Sequence, residues 1–248
     1  MRIGMVSVPP CVALPLVHTR GALPLIGPRA ARGVLGPGDG LLLWSLASDA
    51  ARVARTFRGR LYPPQAAFAL ANRLEATRRL DHLSIHGLRR AYLSRGERLL
   101  AGRGGELLVI QECAPGAMRR RVVAASRDIQ VRAPAIVEPY LPGTSVRVLR
   151  IGAFVAAYER HGDAGEAVVG SPRIPVPPEL LTDALAVLDA VGLQFGAVDY
   201  RLGPRVAAES LQPLPSLPAD PAAEAALGQH VLGLVAGWCA CAADSAGV

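Results

Sequence analysis

The sequence predicts an α+β fold made of lobes that surround a cleft. Helical segments alternate with paired apolar strands along the 248 residues, and this length exceeds that of one small domain. The 26 Gly and 21 Pro residues indicate many short elements joined by tight turns. We expect three lobes, comprising residues 1–60, 61–134 and 135–248.

The first lobe has the alternating strand and helix patterns of a short α/β unit. Ile3–Val8 and Leu41–Leu46 are apolar runs typical of strands, and Ala47–Phe57 has a helical pattern. A break at Pro63-Pro64 ends the lobe, and apolar residues then recur at helical spacing from Gln65 to Leu83. The pattern predicts one or two helices at the start of the central lobe.

The remainder of the chain is dominated by strands. Leu107–Gln111 and Ala135–Leu141 are apolar strands, and Val146–Ile151 pairs with Ala153–Glu159 in a hairpin. Pro178–Val191 has the amphipathic pattern of a helix. This order predicts antiparallel sheets with a helix packed on one of them.

The charged residues favour anionic ligands. All 27 basic residues are Arg, and the net charge is +7. Without Lys there is no Schiff-base nucleophile and no ammonium group for a nucleotide phosphate. The arginines are spread along the chain and aromatic residues make up only 4%, which argues against a nucleic-acid surface.

The cysteines and the chain ends predict a cytoplasmic protein without a membrane segment. Cys239 and Cys241 are too close for an ordinary disulfide, so we expect free thiols in a reducing compartment. The N-terminus lacks the pattern of a signal peptide. The apolar run Ala222–Ala243 carries Glu224, Gln229 and His230, and we expect a packed terminal helix.

A hairpin near the C-terminus has the composition of a divalent-cation site. An apolar strand reaches Asp199, a turn follows at Gly203-Pro204, and a second strand ends at Gln212. Hard cations such as Mg²⁺ prefer oxygen ligands that are completed by phosphate oxygens. We predict that Asp199 and Gln212 face each other across this hairpin.

Motifs from about residue 63 to residue 217 resemble those of the ATP-grasp family, most closely glutathione synthetase-like and ribosomal-protein-modifying ligases. The hairpin is similar to the family's metal-binding hairpin. The other matching segments, in chain order, are Pro64-Gln65-Ala66, Asn72-Arg73-Leu74, Glu138-Pro139-Tyr140-Leu141, Ser145-Val146-Arg147, Gly152 and Glu159-Arg160. The resemblance implies ATP-grasp lobes around a nucleotide cleft, with a short N-terminal lobe.

The resemblance also implies a carboxylate–amine ligase that uses ATP and Mg²⁺ and forms an acyl phosphate. The partners would be a nucleotide and a carboxylate- or amine-bearing small molecule or peptide; homo-oligomerisation is left open. The implied catalytic residues are Arg147 and Arg160. The implied nucleotide-binding residues are Arg73, Gln111, Glu138, Tyr140, Leu141 and Ser145, and the implied metal ligands are Asp199, Glu209 and Gln212.

Three positions depart from the family pattern. Gln111 stands where the family has a phosphate-binding Lys, and Ser145 where an acid holds the ribose. Ser210 takes the place of a bridging Glu. Glu209 is adjacent, but neighbouring strand residues point to opposite faces, so only a β-bulge would bring it to the site.

These departures leave two alternatives to an active ligase. One is a non-catalytic ATP-grasp relative that binds a nucleotide, a peptide or a protein. The other is an unrelated α/β domain. A separate pair, His82 and His86, has the spacing of metal ligands on one helical face, but no third ligand is evident nearby.

Overall fold

The computed structural model describes residues 1–17, 21–99, 106–114, 117–126, 128–160 and 172–244. Within these residues the strands form a parallel four-stranded sheet, an antiparallel four-stranded sheet, an antiparallel five-stranded sheet and a two-stranded ribbon. We call the three larger sheets the N-terminal, central and C-terminal sheets.

The N-terminal sheet has the strand order β2-β1-β3-β4 and packs on both faces. Val6, Leu41 and Leu43 contact helices on one face. Ile3 and Met5, on the other face, join a core shared with the C-terminal sheet. Its elements are β1 (Ile3–Val6), α1 (Pro10–Val17), β2 (Ala22–Pro24), α2 (Ala30–Val34), β3 (Gly40–Leu43), α3 (Ser48–Thr56) and β4 (Arg60–Tyr62).

Two helices lead into the central sheet, whose strand order is β5-β10-β7-β8. The side chain of Asn72 caps the second helix by accepting from the backbone N–H groups of Leu74 and Glu75. The elements are α4 (Gln65–Ala69), α5 (Arg73–Leu83), β5 (Ala91–Leu93), β6 (Arg98–Leu99), β7 (Leu107–Ala114), β8 (Ala117–Ala124), β9 (Ile129–Gln130) and β10 (Ala135–Pro139). Strands β6 and β9 form the ribbon.

The C-terminal sheet has the order β13-β12-β11-β14-β15 and separates two hydrophobic cores. Val148 and Val198 pack against helices on one face, whereas Leu149 and Ala197 pack toward the N-terminal sheet on the other. Its elements are β11 (Thr144–Ile151), β12 (Phe154–Arg160), β13 (Arg173–Ile174), α6 (Pro178–Ala190), β14 (Phe195–Leu202), β15 (Val206–Gln212) and α7 (Pro221–Asp244).

The terminal helix α7 packs against the protein along one stripe. Ala223, Leu227, Val231 and Val235 recur every fourth residue and are buried in the core that joins the N-terminal and C-terminal sheets. Residues 221–242 of this helix are long and apolar enough to span a membrane by length and composition alone. The buried stripe agrees with the expected packing of a terminal helix.

The structure corrects two sequence predictions, namely the lobe boundary after residue 134 and the placement of His82 and His86 on one helix. Strand β10 hydrogen-bonds to β5 and β7 in the central sheet, although the boundary predicted after residue 134 assigned it to the C-terminal lobe. The histidine pair does not share a helix, because α5 ends at Leu83 and His86 lies in the following turn. The ring of His86 packs edge-on against Tyr200 instead.

Candidate functional site

The hairpin predicted near the C-terminus is formed by β14 and β15. Asp199 stands opposite Ser210, and Gln212 stands opposite Ala197. The prediction that Asp199 and Gln212 face each other is therefore wrong by two residue pairs along the ladder. The two residues nevertheless lie on the same face, because Ser210 Oγ accepts from Gln212 Nε2 at 3.0 Å and donates to Asp199 Oδ2 at 2.5 Å.

A β-bulge brings Glu209 to the same face as Asp199. The pairing passes from Asp199–Ser210 to Tyr200–Ala208, which leaves Glu209 as the extra residue. Its carboxylate accepts from Ser145 Oγ at 3.1 Å and from Arg201 Nε at 3.0 Å, and both residues stand on the Asp199 face of the sheet. The β15 strand thus presents a carboxylate to this face even though Ser210 occupies the expected position of Glu.

Two arginines clamp the carboxylate of Asp199, which is fully buried. Arg147 donates to it from Nε at 2.7 Å and from Nη2 at 3.0 Å, and Arg160 Nη1 lies 3.0 Å from Oδ2. Burial raises the pKa of Asp199, but the charges and hydrogen bonds of Arg147, Arg160 and Ser210 outweigh burial and hold the pKa below its ordinary value. Asp199 is therefore an ionised, charge-compensated group.

The central sheet contributes a second buried ion-pair cluster. Gln111 Nε2 donates to Glu138 Oε1 at 2.7 Å, and Arg90 Nε donates to Glu138 Oε2 at 2.6 Å. Arg90 also pairs with Asp81 and donates from Nη2 to the carbonyl oxygen of Ala208 at 2.7 Å. Both oxygens of Glu138 are thus engaged within the protein, and Arg90 links the central sheet to β15.

Gln111 leaves one polar atom without a partner. The carboxylate of Glu138 accepts only, so the amide nitrogen of Gln111 must face it and Oε1 must point away. Gln111 is 2% exposed, and among the described residues no donor reaches its buried Oε1. A buried acceptor without a donor costs free energy, so a ligand that donates here would gain stabilisation.

Arg73 lines a cavity of about 200 Å³ that we call the interlobe cavity. Its Nη2 reaches only the carbonyl oxygen of Glu209, at 3.4 Å, and within the described chain its buried Nε lacks a hydrogen-bond partner. Burial lowers the pKa of Arg73, and the charges of Asp199 and Glu138 oppose that effect. The other residues lining the cavity are Leu46, Leu70, Ala71, Ala76, Met118, Leu211, Gln212 and Pro213.

The segment after β10 crosses from the central sheet to the C-terminal sheet. The N–H of Tyr140 donates to the carbonyl oxygen of Leu107 at 2.8 Å, while its side chain is exposed. Leu141 is half-buried in the crossing, and Ser145 follows at the start of β11. Glu138 and Pro139 are thus the last residues of β10, and Tyr140 and Leu141 begin the connection between the two sheets. The hinge role of Glu138–Leu141 stays a prediction.

The oxygen donors suit Mg²⁺ only together with a phosphate. The described residues contain no group of three Asp, Glu, His or Cys side chains arranged for a metal. Mg²⁺ commonly uses one or two carboxylates and completes its shell with water and substrate phosphates. Asp199, Glu209 and the amide oxygen of Gln212 are the groups on this face that would hold the ion.

Sequence motifs did not identify two arginines of the site. Arg90 has a fully buried side chain that connects two acids and two sheets, and Arg201 holds Glu209. Both lie outside the recognised motifs. The only signal for Arg201 was its place two residues after Asp199, which puts both side chains on one face of a strand.

A second cavity, of about 580 Å³, lies at the carboxyl ends of β1 and β3. We call it the N-terminal cavity. The connections from these neighbouring strands diverge to opposite sides, which is where open parallel sheets form ligand crevices. Its walls are mostly apolar, and Leu46 lines both this cavity and the interlobe cavity. Glu224 is its single charged lining residue among those described.

Solved structures of similar architecture decide the fold. The ATP-grasp ligase PsnB, in complex with a phosphomimetic variant of its minimal precursor, Mg and ADP, has a TM-score of 0.63 at 13% identity and covers 94% of this chain and 98% of its own. D-Alanine–D-alanine ligase from Bacillus anthracis has a TM-score of 0.64 at 11% identity and covers 99% of both chains. The protein has the ATP-grasp fold.

The macrocyclase MdnC from Microcystis aeruginosa, bound to its precursor peptide MdnA, gives the same result. Its TM-score is 0.61 at 11% identity, and the match covers 94% of this chain and 100% of MdnC. No protein-family model matches the sequence, and a comparison with curated proteins finds no match. The ATP-grasp fold and the α+β class predicted from the sequence are confirmed.

The two ion-pair clusters are joined through Arg90. The central sheet carries Gln111 and Glu138, the C-terminal sheet carries Arg147 and Asp199, and Arg90 connects the two sheets. The roles assigned to these residues from sequence motifs stay predictions. Of the loop that follows β7, residues 115 and 116 lie outside the described part.

Proposed function

We propose that the protein is an ATP-dependent carboxylate–amine ligase of the ATP-grasp type. The observation that supports this most strongly is the β15 bulge, which sets Glu209 beside Asp199 on one face. Arg147 and Arg160 stand on the same face. Two carboxylates and two guanidinium groups on one surface can bind a metal–nucleotide complex and neutralise a transferring phosphoryl group.

The arginines would act as charged forks on oxygen anions. The fork of a guanidinium matches the spacing of phosphate and carboxylate oxygens. Among the described residues Arg73 forms no ion pair with an acid, although Asp199 and Glu138 are near enough for their charges to act on it. It lines the interlobe cavity, so it is placed for a phosphate in the role of the missing Lys. Gln111 Oε1 is a buried acceptor suited to a donor such as the adenine amino group.

The amine substrate would enter through the N-terminal cavity. This cavity adjoins the interlobe cavity at Leu46, and its described lining residues include no arginine in an Arg-rich chain. Its one carboxylate, Glu224, favours an ammonium group, and Trp44 and Leu214 provide apolar contacts. An amino acid or peptide amine with an apolar side chain fits this chemistry, and the cytoplasm supplies both such amines and ATP.

The proposal is tested by titrating ATP into the protein with and without Mg²⁺ in a calorimeter, followed by assays of ADP release with amino acids and peptides. We expect Mg²⁺ to strengthen ATP binding, and Glu209→Gln to remove that gain. Glu75→Gln is the matched control, because Glu75 is exposed and pairs with Arg79 on the surface of α5. Equal ATP affinity with and without Mg²⁺ would contradict the ligase proposal.

The second candidate function is a non-catalytic ATP-grasp protein that binds a nucleotide, a peptide or a protein. The observation that favours it is the full engagement of Asp199 by Arg147, Arg160 and Ser210. In such a protein the guanidinium groups take the place of the metal. It would bind ATP without Mg²⁺, lose affinity on Arg160→Gln, and release no ADP with any acceptor.

A further inference from the structure

The back of the β7–β8 hairpin carries a concavity of about 1020 Å³ that is lined by arginines. We call it the arginine basin. Five arginines contribute to it, and Glu112 is the one acidic lining residue among those described. Glu112 is buried and pairs with Arg121 at 3.1 Å, which leaves the basin strongly cationic. The five are Arg95, Arg119, Arg120, Arg121 and Arg132.

Three of these arginines are exposed and uncompensated. Within the described residues the side chains of Arg95, Arg119 and Arg132 form no ion pair or hydrogen bond. A solvated arginine on a convex surface needs no partner, but several like charges around one concavity repel each other and raise the local concentration of anions. The basin therefore complements an anionic ligand that extends over several charges.

The basin borders an open sheet edge. Strand β8 is the last strand of the central sheet, and no described strand pairs with its outer side. Its outward N–H and C=O groups can therefore hydrogen-bond an added strand. Arg119 and Arg121 are two residues apart on β8, so both side chains point to the face that carries Glu112.

The lining favours a peptide over a nucleic acid. Its described residues include no aromatic side chain on which a base could stack. The edge of β8 can hydrogen-bond the backbone of an extended peptide. Arg119 and Arg121 can pair with acidic side chains of that peptide, because both sets of side chains repeat every second residue. We propose that the arginine basin and the edge of β8 bind an extended acidic peptide segment of a partner protein, with Asp or Glu at every second position.

This surface has a lining of its own, although Arg120 stands opposite Gln111 in the β7–β8 ladder. Met118 is the one residue that lines both the arginine basin and the interlobe cavity among those described. The proposal therefore does not depend on ATP binding or on ligase activity. Acidic-peptide binding is expected in the absence of nucleotide.

The test uses a fluorescein-labelled ten-residue peptide with Glu at alternate positions and Thr or Val between them, measured by fluorescence anisotropy. The double variant Arg119→Gln/Arg132→Gln should weaken binding about tenfold, since two exposed ion pairs contribute roughly 1–2 kcal/mol together. Arg29→Gln/Arg52→Gln removes the same charge from an exposed surface of the N-terminal lobe and should leave binding unchanged. Thermal melts confirm that both variants are folded.

Changes in the peptide separate the two parts of the proposal. Replacing Glu by Gln should abolish binding, and N-methylation at alternate backbone positions should weaken it at unchanged charge, because strand pairing is lost. A peptide that binds equally well after N-methylation, or to the Arg119→Gln/Arg132→Gln variant, would overturn the proposal. So would a single-stranded oligonucleotide that binds through these arginines while the acidic peptide does not.

Discussion

The hydroxyl of Ser210 donates a 2.5 Å hydrogen bond to Oδ2 of Asp199 across strands β15 and β14. A hydroxyl in this position supports the buried aspartate but adds no negative charge. Glu209 supplies the second carboxylate of this face from the bulge beside it. The negative charge offered to a bound metal ion therefore depends on whether Ser210 or Glu209 contacts it.

Restoring charge at the two substituted positions should strengthen ATP binding. The double variant Gln111→Lys/Ser210→Glu adds an ammonium group near Glu138 and a carboxylate beside Asp199. A well-placed charge-assisted contact contributes roughly 1.5–3 kcal/mol, so a gain on the order of a hundredfold is expected for the pair. Titration of both proteins with ATP at fixed Mg²⁺ measures it.

Ser210→Ala is the control for that variant, since it removes the hydroxyl without adding charge. Tight binding and ATP turnover by the natural protein, with no gain from the double variant, would show that Glu209 and Arg73 already compensate. The affinity for ATP would then depend on Glu209, which the bulge positions, and not on residue 210.

Removing Arg90 should destabilise the protein strongly. Its side chain is fully buried and pairs with Asp81 and Glu138. Arg90→Leu leaves two largely buried carboxylates without their cation, and breaking a buried pair in this way costs about 3–5 kcal/mol. Urea denaturation measures the loss. Arg79→Leu, which breaks an exposed pair with Glu75, should cost less than about 1 kcal/mol; a similar loss in both variants would contradict the assignment.

A side chain at Gly143 should disturb the crossing between the central and C-terminal sheets. The φ angle of Gly143 is +139°, and an added Cβ would clash with the carbonyl oxygen of Leu202. Gly143→Ala should therefore lower the free energy of unfolding by about 2 kcal/mol or more. Gly233→Ala, in the open middle of α7, should instead stabilise by roughly 0.5–1 kcal/mol. Thermal melts distinguish the two expectations.

Protonation of His230 should make stability depend on pH. Burial lowers the pKa of His230 below its ordinary 6.5, and the charge of Arg150 lowers it further. As the pH falls, His230 is therefore protonated in the unfolded chain at a higher pH than in the folded protein. The contribution of His230 to the free energy of unfolding is therefore greatest above pH 6.5. It decreases as the pH falls below that value.

His230→Gln should remove this part of the pH dependence, as measured by urea denaturation between pH 5 and 8. The exposed His82→Gln is the matched control. An unchanged pH profile in His230→Gln would show that the imidazole of His230 is already solvated in the folded protein.

Local patterns were sufficient to predict most elements of the fold. Short apolar runs located β7, β11 and β14, because strands that are buried on both faces need apolar residues at most positions. Helical spacing located α3 and α6, because a helix that is buried on one face repeats its apolar residues every three to four positions. The same reasoning gave the hairpin turn at Gly203-Pro204. Motif order was enough to suggest the ATP-grasp fold, which the structural comparisons then showed.

The sequence by itself determined which chemical groups this protein has: no Lys, a Gln at position 111, and a Ser at position 210. Only the tertiary structure decided which groups meet. The bulge that turns Glu209 toward Asp199 and the path of Arg90 between two sheets depend on strand register and on contacts between residues more than a hundred positions apart. A local pattern contains no information about either, because both are set by the packing of whole sheets.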